Sequence, residues 1–462
     1  MLKNLKLIKP NIDVSDENLT ELAHKVQNLY YDEYSDYWLE MIQKINVKGT
    51  YTFSDLSEVL DNLANRKSSV LFQFLKVVIN NTYLTDAYAA QKDKDKTGDD
   101  AKKGESKDEK VRYNELDGSV IASEFLDYYE FVGVNSKLEY SSDDAVPINA
   151  LMQKFGFTAQ LIKATDMSPA IRNKQLFDYY SKNTQDISNL FDVEEFFTED
   201  TPLLFTELLA SLRFAVKDSV FNGIAQHIKD QWNNRIASFY QVNFANKFPF
   251  VLEADQEVKL ENINRFFMIG GVWDTFVKTY ITPFMVEDTT GVHLAGLDDG
   301  DSFHIPYSLY DNVSIVKEIQ KVFYHDNPAQ ASLKLKIVPR KMSSSVKKFE
   351  LDDGSGNKCS YDQGPRLPCS LQWPSSGPNP LKLSFVGSNN YGYGTTFESQ
   401  WGLLKVFKDN LYSDFQDFLK NGYQSWTFTY ENRSIVYDVQ VTGQEDSTIP
   451  VNLFQRIDLD AW

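Results

Sequence analysis

The chain has 462 residues, 42% of them hydrophobic and 14% aromatic, which is enough apolar material for two to four packed units. Its 65 acidic and 47 basic side chains give a formal net charge of −18, which repels phosphate backbones and anionic lipids, so we do not expect nucleic acid among its partners. The sequence contains no run of about 18 apolar residues, which would predict a membrane span. The start of the chain lacks the apolar stretch of a secretory signal.

The first part of the chain has helical periodicity. Apolar residues recur at helical spacing in two segments, Leu19, Leu22, Val26 and Leu29 in the first and Leu56, Val59, Leu60 and Leu63 in the second. Thr52 and Asp55 predict the start of the second helix, because a hydroxyl there accepts a backbone N–H and the acid faces the positive helix end. Pro202 suits the first turn of a further helical stretch, long enough for two helices or one bent one.

Residues 91–110, QKDKDKTGDDAKKGESKDEK, interrupt this helical pattern. They contain almost nothing apolar to bury, so they cannot offset the entropy lost on ordering. We interpret them as a mobile surface insertion between helices. A charged segment that binds a partner is the alternative, and its mixed signs leave little net field.

An aromatic segment runs from residue 248 to 276, FPFVLEADQEVKLENINRFFMIGGVWDTF. Pro249 disfavours helix in the residue before it, so the chain is expected to turn there. Helical spacing then resumes in Val258, Leu260, Ile263, Phe266 and Phe267. Gly270 and Gly271 permit a break, and the lysine and hydroxyl of a phosphate-binding loop are missing. We therefore predict a helix-turn-helix corner that is held together by aromatic rings.

From about residue 331 the sequence changes to a β pattern. SLKLKIVP and LKLSFVG alternate apolar and polar residues, and SWTFTYENRSIVYDVQVTG predicts two strands around a turn at Glu431 and Asn432. One helix is expected to interrupt the strands, with one face formed by Leu403, Leu404, Phe407, Leu411 and Phe415. The fold class predicted is therefore α+β and multidomain, with an all-α part followed by a mainly antiparallel β-sandwich or barrel.

No catalytic constellation is recognisable in the sequence. The nucleophile elbow GxSxG and the zinc motif HExxH are both missing, and YGYGTTF lacks the third glycine of a dinucleotide-binding loop. The acidic turn LDDGDSF is either a solvated turn or a calcium site that uses Asp298, Asp299 and Asp301. We interpret it as a solvated turn and expect no cofactor, no metal and no enzymatic activity.

Cys359 and Cys369 are the two cysteines of the chain and lie ten positions apart. This spacing does not fit a CxxC motif, and one pair cannot fill a tetrahedral zinc site without histidines. Two readings stay open at this point, a loop-closing disulfide in an oxidising compartment and two unpaired thiols.

Six motifs in the chain resemble, in the same order, those of the IcmF/TssM family of secretion-system proteins. They are YYDEYSDYWLEMI, the segment around residues 68–82, FPF with EVKLENINRFFMIGGVWDTFVKTYITPF, YDQGPRLPCSLQWP, SQWGLLKVF and NLFQRIDL. The residues that carry the structural motifs are Phe248, Pro249, Phe250, Phe266, Phe267, Gly270, Gly271, Trp273, Trp373 and Trp401. The insertion at residues 91–110 and the cysteine pair are not part of the family pattern.

The resemblance implies a non-catalytic scaffold, the periplasmic part of an inner-membrane protein whose anchor this chain lacks. It implies a helical stalk over residues 1–230, a helical subdomain with the glycine corner over 231–330, and a β-sandwich over 331–462. It also implies three kinds of partner: an outer-membrane lipoprotein of the TssJ class, an inner-membrane protein of the TssL/DotU kind, and further copies of the chain. Type VI and type IVB systems both remain open.

The loop GSNNYGYGTTF is the predicted contact surface, because Tyr391 and Tyr393 lie among small polar residues such as Asn389. We predict that it docks a protein. An ordinary flexible loop and a carbohydrate- or peptidoglycan-binding surface are the alternatives, the latter because β-sandwiches with exposed aromatic residues often bind sugars.

Overall fold

The structure is a computed structural model that describes residues 16–45, 52–84, 118–135, 137–164, 168–183, 191–288, 291–294, 306–375, 379–408, 424–443 and 453–459. The described residues divide into two compact units, one that ends at Ile224 and one that begins at Ala225. The insertion at 91–110 and the acidic turn with Asp298, Asp299 and Asp301 lie outside the described residues. In the described ranges, no helix combines the length and the apolar character that a membrane crossing requires.

Helices form the first unit. They are α1 (Asp16–Gln43), α2 (Phe53–Ala64), α3 (Val70–Thr82), α4 (Ser119–Glu124), α5 (Leu126–Val132), α6 (Pro147–Ala164), α7 (Pro169–Tyr180) and the start of α8 (Leu203–Trp232). The cap predicted at α2 is confirmed, since the Thr52 hydroxyl accepts from the Asp55 N–H while the Asp55 carboxylate accepts from the Thr52 N–H. Leu56 and Leu60 are fully buried where α2 packs against α6.

Helix α1 forms where its periodicity predicted, but its apolar stripe faces outward. Leu22, Val26 and Leu29 are 40%, 56% and 58% exposed, while the opposite face buries Tyr31 and Ile42. The buried face was hidden in the sequence because it mixes tyrosine, serine and tryptophan with isoleucine. Periodicity identifies a helix, but it does not decide which of two half-apolar faces is covered.

The second unit begins with a helical part. Helix α8 continues through a π-helical turn (Asn233–Ala237) into α9 (Ser238–Asn243), and α10 (Leu260–Phe267), α11 (Val272–Phe276), a second π-helical turn (Val277–Ile281) and α12 (Tyr307–Phe323) follow. The stretch after Pro202 is thus one long helix with a π-helical interruption. A hairpin of β1 (Met285–Asp288) and β2 (Gly291–Leu294), which was not predicted from the sequence, follows the second π-helical turn.

Two antiparallel sheets of four strands follow in the described part of the second unit. One sheet has the order β6 (Cys369–Trp373), β3 (Leu333–Met342), β10 (Arg433–Val441) and β9 (Gln424–Tyr430). The other has the order β5 (Lys358–Tyr361), β4 (Val346–Asp352), β7 (Leu381–Gly387) and β8 (Gly392–Phe397). The predicted turn at Glu431 and Asn432 is confirmed, because it joins β9 to β10 with the register Arg433 to Tyr430.

The two sheets pack face to face as a β-sandwich. Phe349 of one sheet lies 5.8 Å from the ring of Phe428 and 5.6 Å from that of Tyr437 in the other. Strand β3 shows the alternation expected when one face is buried, with Leu333, Leu335 and Ile337 inside. The predicted fold class, helices first and an antiparallel β region after them, is therefore confirmed.

A short helix, α13 (Gly402–Phe407), lies between β8 and β9, and α14 (Leu453–Arg456) follows β10. The first agrees with the helix predicted from Leu403 and Leu404, whereas Leu411 and Phe415 lie outside the described residues. The predicted domains 231–330 and 331–462 both fall within the second compact unit, and the three-domain division stays a prediction.

Candidate functional site

The helix-turn-helix corner predicted from the paired glycines forms between α10 and α11. We call it the aromatic corner and define it by Phe248, Phe250, Phe266, Phe267, Gly270, Gly271 and Trp273. Gly271 is buried, and a Cβ atom there would lie 2.8–2.9 Å from the carbonyl oxygens of Arg265, Phe266 and Met268. Only glycine allows such a close approach of the backbone.

Gly270 serves the same turn for a different reason. Its φ is +79°, in the left-handed region that glycine adopts without strain, and a Cβ atom would meet nothing within 4 Å. The Asp274 carboxylate accepts from the Gly270 N–H at 2.9 Å and from the Gln320 amide at 2.7 Å, so one acid joins the turn to α12. The glycines are thus explained by backbone geometry and do not form a phosphate-binding loop.

The rings of the aromatic corner form one buried cluster. Phe266 and Phe267 have centroids 4.7 Å apart, and Phe266 lies 6.2 Å from Trp273. Phe244, which is not among the predicted residues, lies at the centre, with its ring stacked 4.6 Å from that of Phe250 and 5.9 Å from that of Phe267. Such ring pairs contribute about 0.5–1.5 kcal/mol each beyond their burial.

Two tryptophans fix one end of the sandwich to this cluster, and we call that end the corner end. Trp373 and Trp401 are each 1% exposed with centroids 5.0 Å apart, and Trp401 also contacts Phe248 at 5.9 Å. The Trp401 indole donates to the Val258 carbonyl at 2.7 Å, and the Trp373 indole donates to the Gln400 carbonyl at 2.7 Å. Both buried donors are therefore satisfied.

Phe454 in the closing motif completes the corner end. Its ring contacts Phe250, Phe267, Phe323 and Trp401 at 5.4–6.3 Å. The NLFQRIDL motif contains Phe454 but does not by itself single it out. No local pattern could have found it, because its contacts lie far away in sequence.

Tyr324 links α12 to the aromatic corner. Its hydroxyl donates to the Ile263 carbonyl at 3.1 Å and lies 3.3 Å from the Asn264 side-chain oxygen, which also accepts from the Ala331 N–H. Burial raises the pKa of Tyr324 strongly, because the phenolate would lose its hydration. A neutral phenol is thus a structural part of this region.

The predicted contact residues lie at the opposite end of the sandwich, which we call the loop end and define by residues 343–345, 362–368, 388–391 and 431–432. Tyr391 is 70% exposed, and so is Leu367. The 388–391 loop is anchored, since the Ser388 N–H donates to the Ser345 carbonyl at 3.0 Å and the Lys347 ammonium donates to the Asn390 side chain at 3.0 Å.

Tyr393 and Asn389 support this loop from below. The Asn389 amide donates to the Tyr393 hydroxyl at 3.0 Å, and the Tyr391 N–H donates to the Asn389 side chain at 3.1 Å. The Arg433 guanidinium lies over the Tyr393 ring at 3.3 Å and pairs with Glu431 at 2.6 Å. Tyr393 and Asn389 therefore position the loop, and Tyr391 is the side chain that it presents.

Cys359 and Cys369 form a disulfide bond. Cys359 belongs to β5 and Cys369 to β6, so the bond joins edge strands of the two different sheets. Their Cα atoms are 5.6 Å apart, within the range for disulfides. The sequence left open whether the two cysteines are bonded, and in the structure they form a disulfide.

The described residues contain no group of three or more His, Cys, Asp or Glu side chains that could hold a metal ion. The aromatic corner and the loop end are thus the two regions that carry the predicted site residues. One is a buried joint and the other is a presented surface.

Comparisons with known proteins agree with the motif pattern. Residues 335–443 match the family model described as "Type VI secretion protein IcmF C2-like domain", and residues 6–83 match the IcmF-related model described as "Intracellular multiplication and human macrophage-killing". A curated relative, "Type VI secretion system component TssM1" of Pseudomonas aeruginosa, is 22% identical over 409 residues. That match covers 85% of this chain and 36% of the relative, so the chain spans about a third of that protein's length.

Two solved structures share the fold. One is described as "Type VI secretion system membrane core complex", with a TM-score of 0.62, 12% identity and coverage of 97% of this chain and 85% of that one. The other is described as "Type VI membrane complex", with a TM-score of 0.58, 12% identity and coverage of 94% and 78%. At this identity the likeness concerns the fold alone.

Proposed function

Because the chain belongs to the IcmF/TssM family, as its motifs, its two family-model matches and its curated relative indicate, we propose that it is a non-catalytic part of a type VI secretion membrane complex. Its role there is mechanical. The fold likeness to two membrane-complex structures and the name of the curated relative support type VI over type IVB.

The observation that carries this proposal is the difference between the two ends of the sandwich. At the corner end Trp373 and Trp401 are buried among aromatic rings, whereas the loop end presents Tyr391 on an anchored loop. A rigid, exposed tyrosine is typical of residues that contribute strongly to protein interfaces. The proposed ligand of the loop end is an outer-membrane lipoprotein of the TssJ class.

The disulfide supports a periplasmic location for this part of the protein. Disulfides persist in oxidising compartments such as the bacterial periplasm and are rare in the cytosol. A periplasmic module that binds an outer-membrane lipoprotein would bridge towards the outer membrane. The other proposed partners are an inner-membrane protein of the TssL/DotU kind and further copies of this chain.

A titration of the chain with the cognate lipoprotein, followed by calorimetry, tests the proposal. We expect saturable binding with a defined stoichiometry, and Tyr391→Ala to weaken it at least about tenfold, as for a central interface tyrosine. Val251→Ala is a matched control, because Val251 is exposed and lies outside the loop end. A folded chain that fails to bind the lipoprotein would contradict the docking role.

The same variant separates docking from carbohydrate binding, which the exposed tyrosine and asparagines of this loop also favour. Retention of the chain on insoluble peptidoglycan is measured for the unaltered protein and for Tyr391→Ala. Retention that Tyr391→Ala abolishes, together with unchanged lipoprotein binding, would favour the carbohydrate function.

A further inference from the structure

A groove in the second unit runs between α9 and the glycine turn of the aromatic corner. Its volume is about 630 Å³. The apolar side chains that line it are Phe239, Val242, Met268, Val272 and Phe276. Val242 is 73% exposed at its edge, and the neighbouring Ile269 is 57% exposed. The groove is therefore an accessible apolar surface.

Two arginines, Arg235 and Arg265, give this groove a positive charge. Arg235 lies 5.6 Å from the Tyr280 ring and its Nε donates to Gln231, while Arg265 lies 5.6 Å from the Phe239 ring. Within the described part of the chain, neither guanidinium forms a salt bridge with a carboxylate. In a chain of net charge −18, two arginines without an acidic partner beside an apolar groove favour an acidic ligand.

The outward stripe of α1 has the complementary character. Leu22, Val26, Leu29, Tyr30 and Tyr37 are exposed along one helix face. Glu33 and Asp36 are exposed on that face too, and no described basic side chain pairs with either of them. From Leu22 to Tyr37 the stripe is about 22 Å long, while the groove face of α9 and its π-helical turn is about 14 Å long.

We propose that the outward stripe of α1 in one copy of the chain docks in the groove of a second copy. Apolar side chains would cover Phe239, Val242 and Met268, and Glu33 and Asp36 would pair with Arg235 and Arg265. Because stripe and groove are different surfaces, the contact is heterologous, and it joins copies head to tail. This inference rests on the proposed function, in which copies of the chain meet in a membrane complex.

A lipid surface fits the α1 stripe less well than a second copy does. Anionic headgroups would meet Glu33 and Asp36 with like charge, which opposes binding. The basic groove offers those same acids opposite charge beside an apolar floor. Charge thus selects the second copy as the occupant.

Charge reversal tests the proposal with two variants of the full chain. The groove variant is Arg235→Glu with Arg265→Glu, and the stripe variant is Glu33→Arg with Asp36→Arg. In sedimentation velocity at about 100 µM, we expect the unaltered chain to form dimers and larger species, as fits a small interface. Each variant alone should be monomeric. An equimolar mixture should associate again like the unaltered chain, because the stripe of each variant then meets a groove of opposite charge in the other variant.

A variant that carries all four reversals should associate with itself again, and Lys278→Glu, at an exposed site that does not line the groove, should behave as the unaltered chain. An unaltered chain that stays monomeric at this concentration would overturn the proposal, as would variants that associate like it. All variants should still bind the lipoprotein, because the loop end is unchanged. Failure of the unaltered chain to bind the lipoprotein, with association intact, would contradict the docking role alone.

Discussion

The two ends of the β-sandwich use aromatic residues in opposite ways. At the corner end, Trp373 and Trp401 are each 1% exposed and give their indole hydrogens to backbone carbonyls. At the loop end, Tyr391 is 70% exposed, and the residues around it bond to one another and hold its loop. Aromatic residues are thus buried and hydrogen-bonded at one end of the sandwich and exposed to solvent at the other.

Under the proposed function, this difference would allow the module to carry load. A force applied at the loop end would pass along the strands to a joint in which rings, a buried phenol and a close-packed glycine leave little room to move. The sheets themselves are joined at their edge by the Cys359–Cys369 bond. We therefore expect substitutions at the corner end to change stability and those at the loop end to change binding.

The largest effect is expected for Trp401→Ala. Removing a fully buried tryptophan leaves a cavity among Phe248, Trp373 and Phe454, and such changes cost about 3–5 kcal/mol of the free energy of unfolding. Urea denaturation measures the loss. Trp401→Phe keeps a ring but loses the bond to Val258, so it should cost less. Equal stability of Trp401→Ala and the unaltered chain would refute the assignment of the corner end as a structural joint.

The next largest effect is expected at alkaline pH, which should lower the free energy of unfolding of the second unit. Burial raises the pKa of Tyr324 and Tyr437 above the value near 10 of an unfolded chain, so the folded state holds both protons more tightly. Their stabilisation is complete below pH 10 and is lost as the pH rises through the folded values, by about 1.4 kcal/mol per pH unit for each tyrosine.

Urea denaturation at pH 9 and pH 11 measures this loss. Tyr324→Phe removes one of the two phenols, so the difference in unfolding free energy between these pH values should become smaller in the variant. An unfolding free energy that is the same at both pH values would be inconsistent with buried, neutral phenols.

Substitutions of the paired glycines should cause a smaller loss of stability, and the two positions can be compared directly. Gly271→Ala places a Cβ atom 2.8–2.9 Å from three carbonyl oxygens, so we expect a cost of about 2–3 kcal/mol. Gly270→Ala meets no atoms but keeps an unfavourable φ, at a cost of about 1 kcal/mol. Thermal and urea unfolding measure which of the two variants loses more stability. The reverse order would mean that the turn does not depend on close backbone packing.

Tyr391→Ala should have the smallest effect on stability. An exposed side chain away from the core changes the unfolding free energy by less than about 0.5 kcal/mol. Tyr393→Ala should destabilise the chain more, because Tyr393 bonds to Asn389 and lies under Arg433. Urea unfolding of both variants tests this division between a presented and a supporting residue. A large loss in Tyr391→Ala would remove the distinction between the two ends.

Local patterns predicted much of this fold. The cap at Thr52 and Asp55, the turn at Glu431 and Asn432 and the corner at Gly270 and Gly271 each depend on residues that are close in sequence. Their physical causes, a free helix amide, an antiparallel register and a backbone contact, act over a few residues. Such causes can be recognised from a single sequence.

Long-range placement could not be predicted in the same way. Phe454 contacts the rings of Phe250 and Phe267, which lie about 190–200 residues earlier in the sequence. Phe244 contacts rings that precede it in the sequence, such as Phe239, and rings that follow it, such as Phe250. Which face of α1 is covered could not be predicted for the same reason, because α1 packs against α4, and Tyr34 of α1 donates to the Asn81 carbonyl of α3, both far away in sequence. Sequence motifs therefore singled out the tryptophans and tyrosines, but did not show which residues would be their neighbours.

Hydrogen exchange of the chain with and without the outer-membrane lipoprotein tests the central claim most directly. We expect the bound lipoprotein to slow amide exchange at residues 343–345, 362–368, 388–391 and 431–432, and to leave residues 248–276 unchanged. Protection that appears at residues 248–276 and is absent from the loop end would contradict the assignment of joint and contact surface.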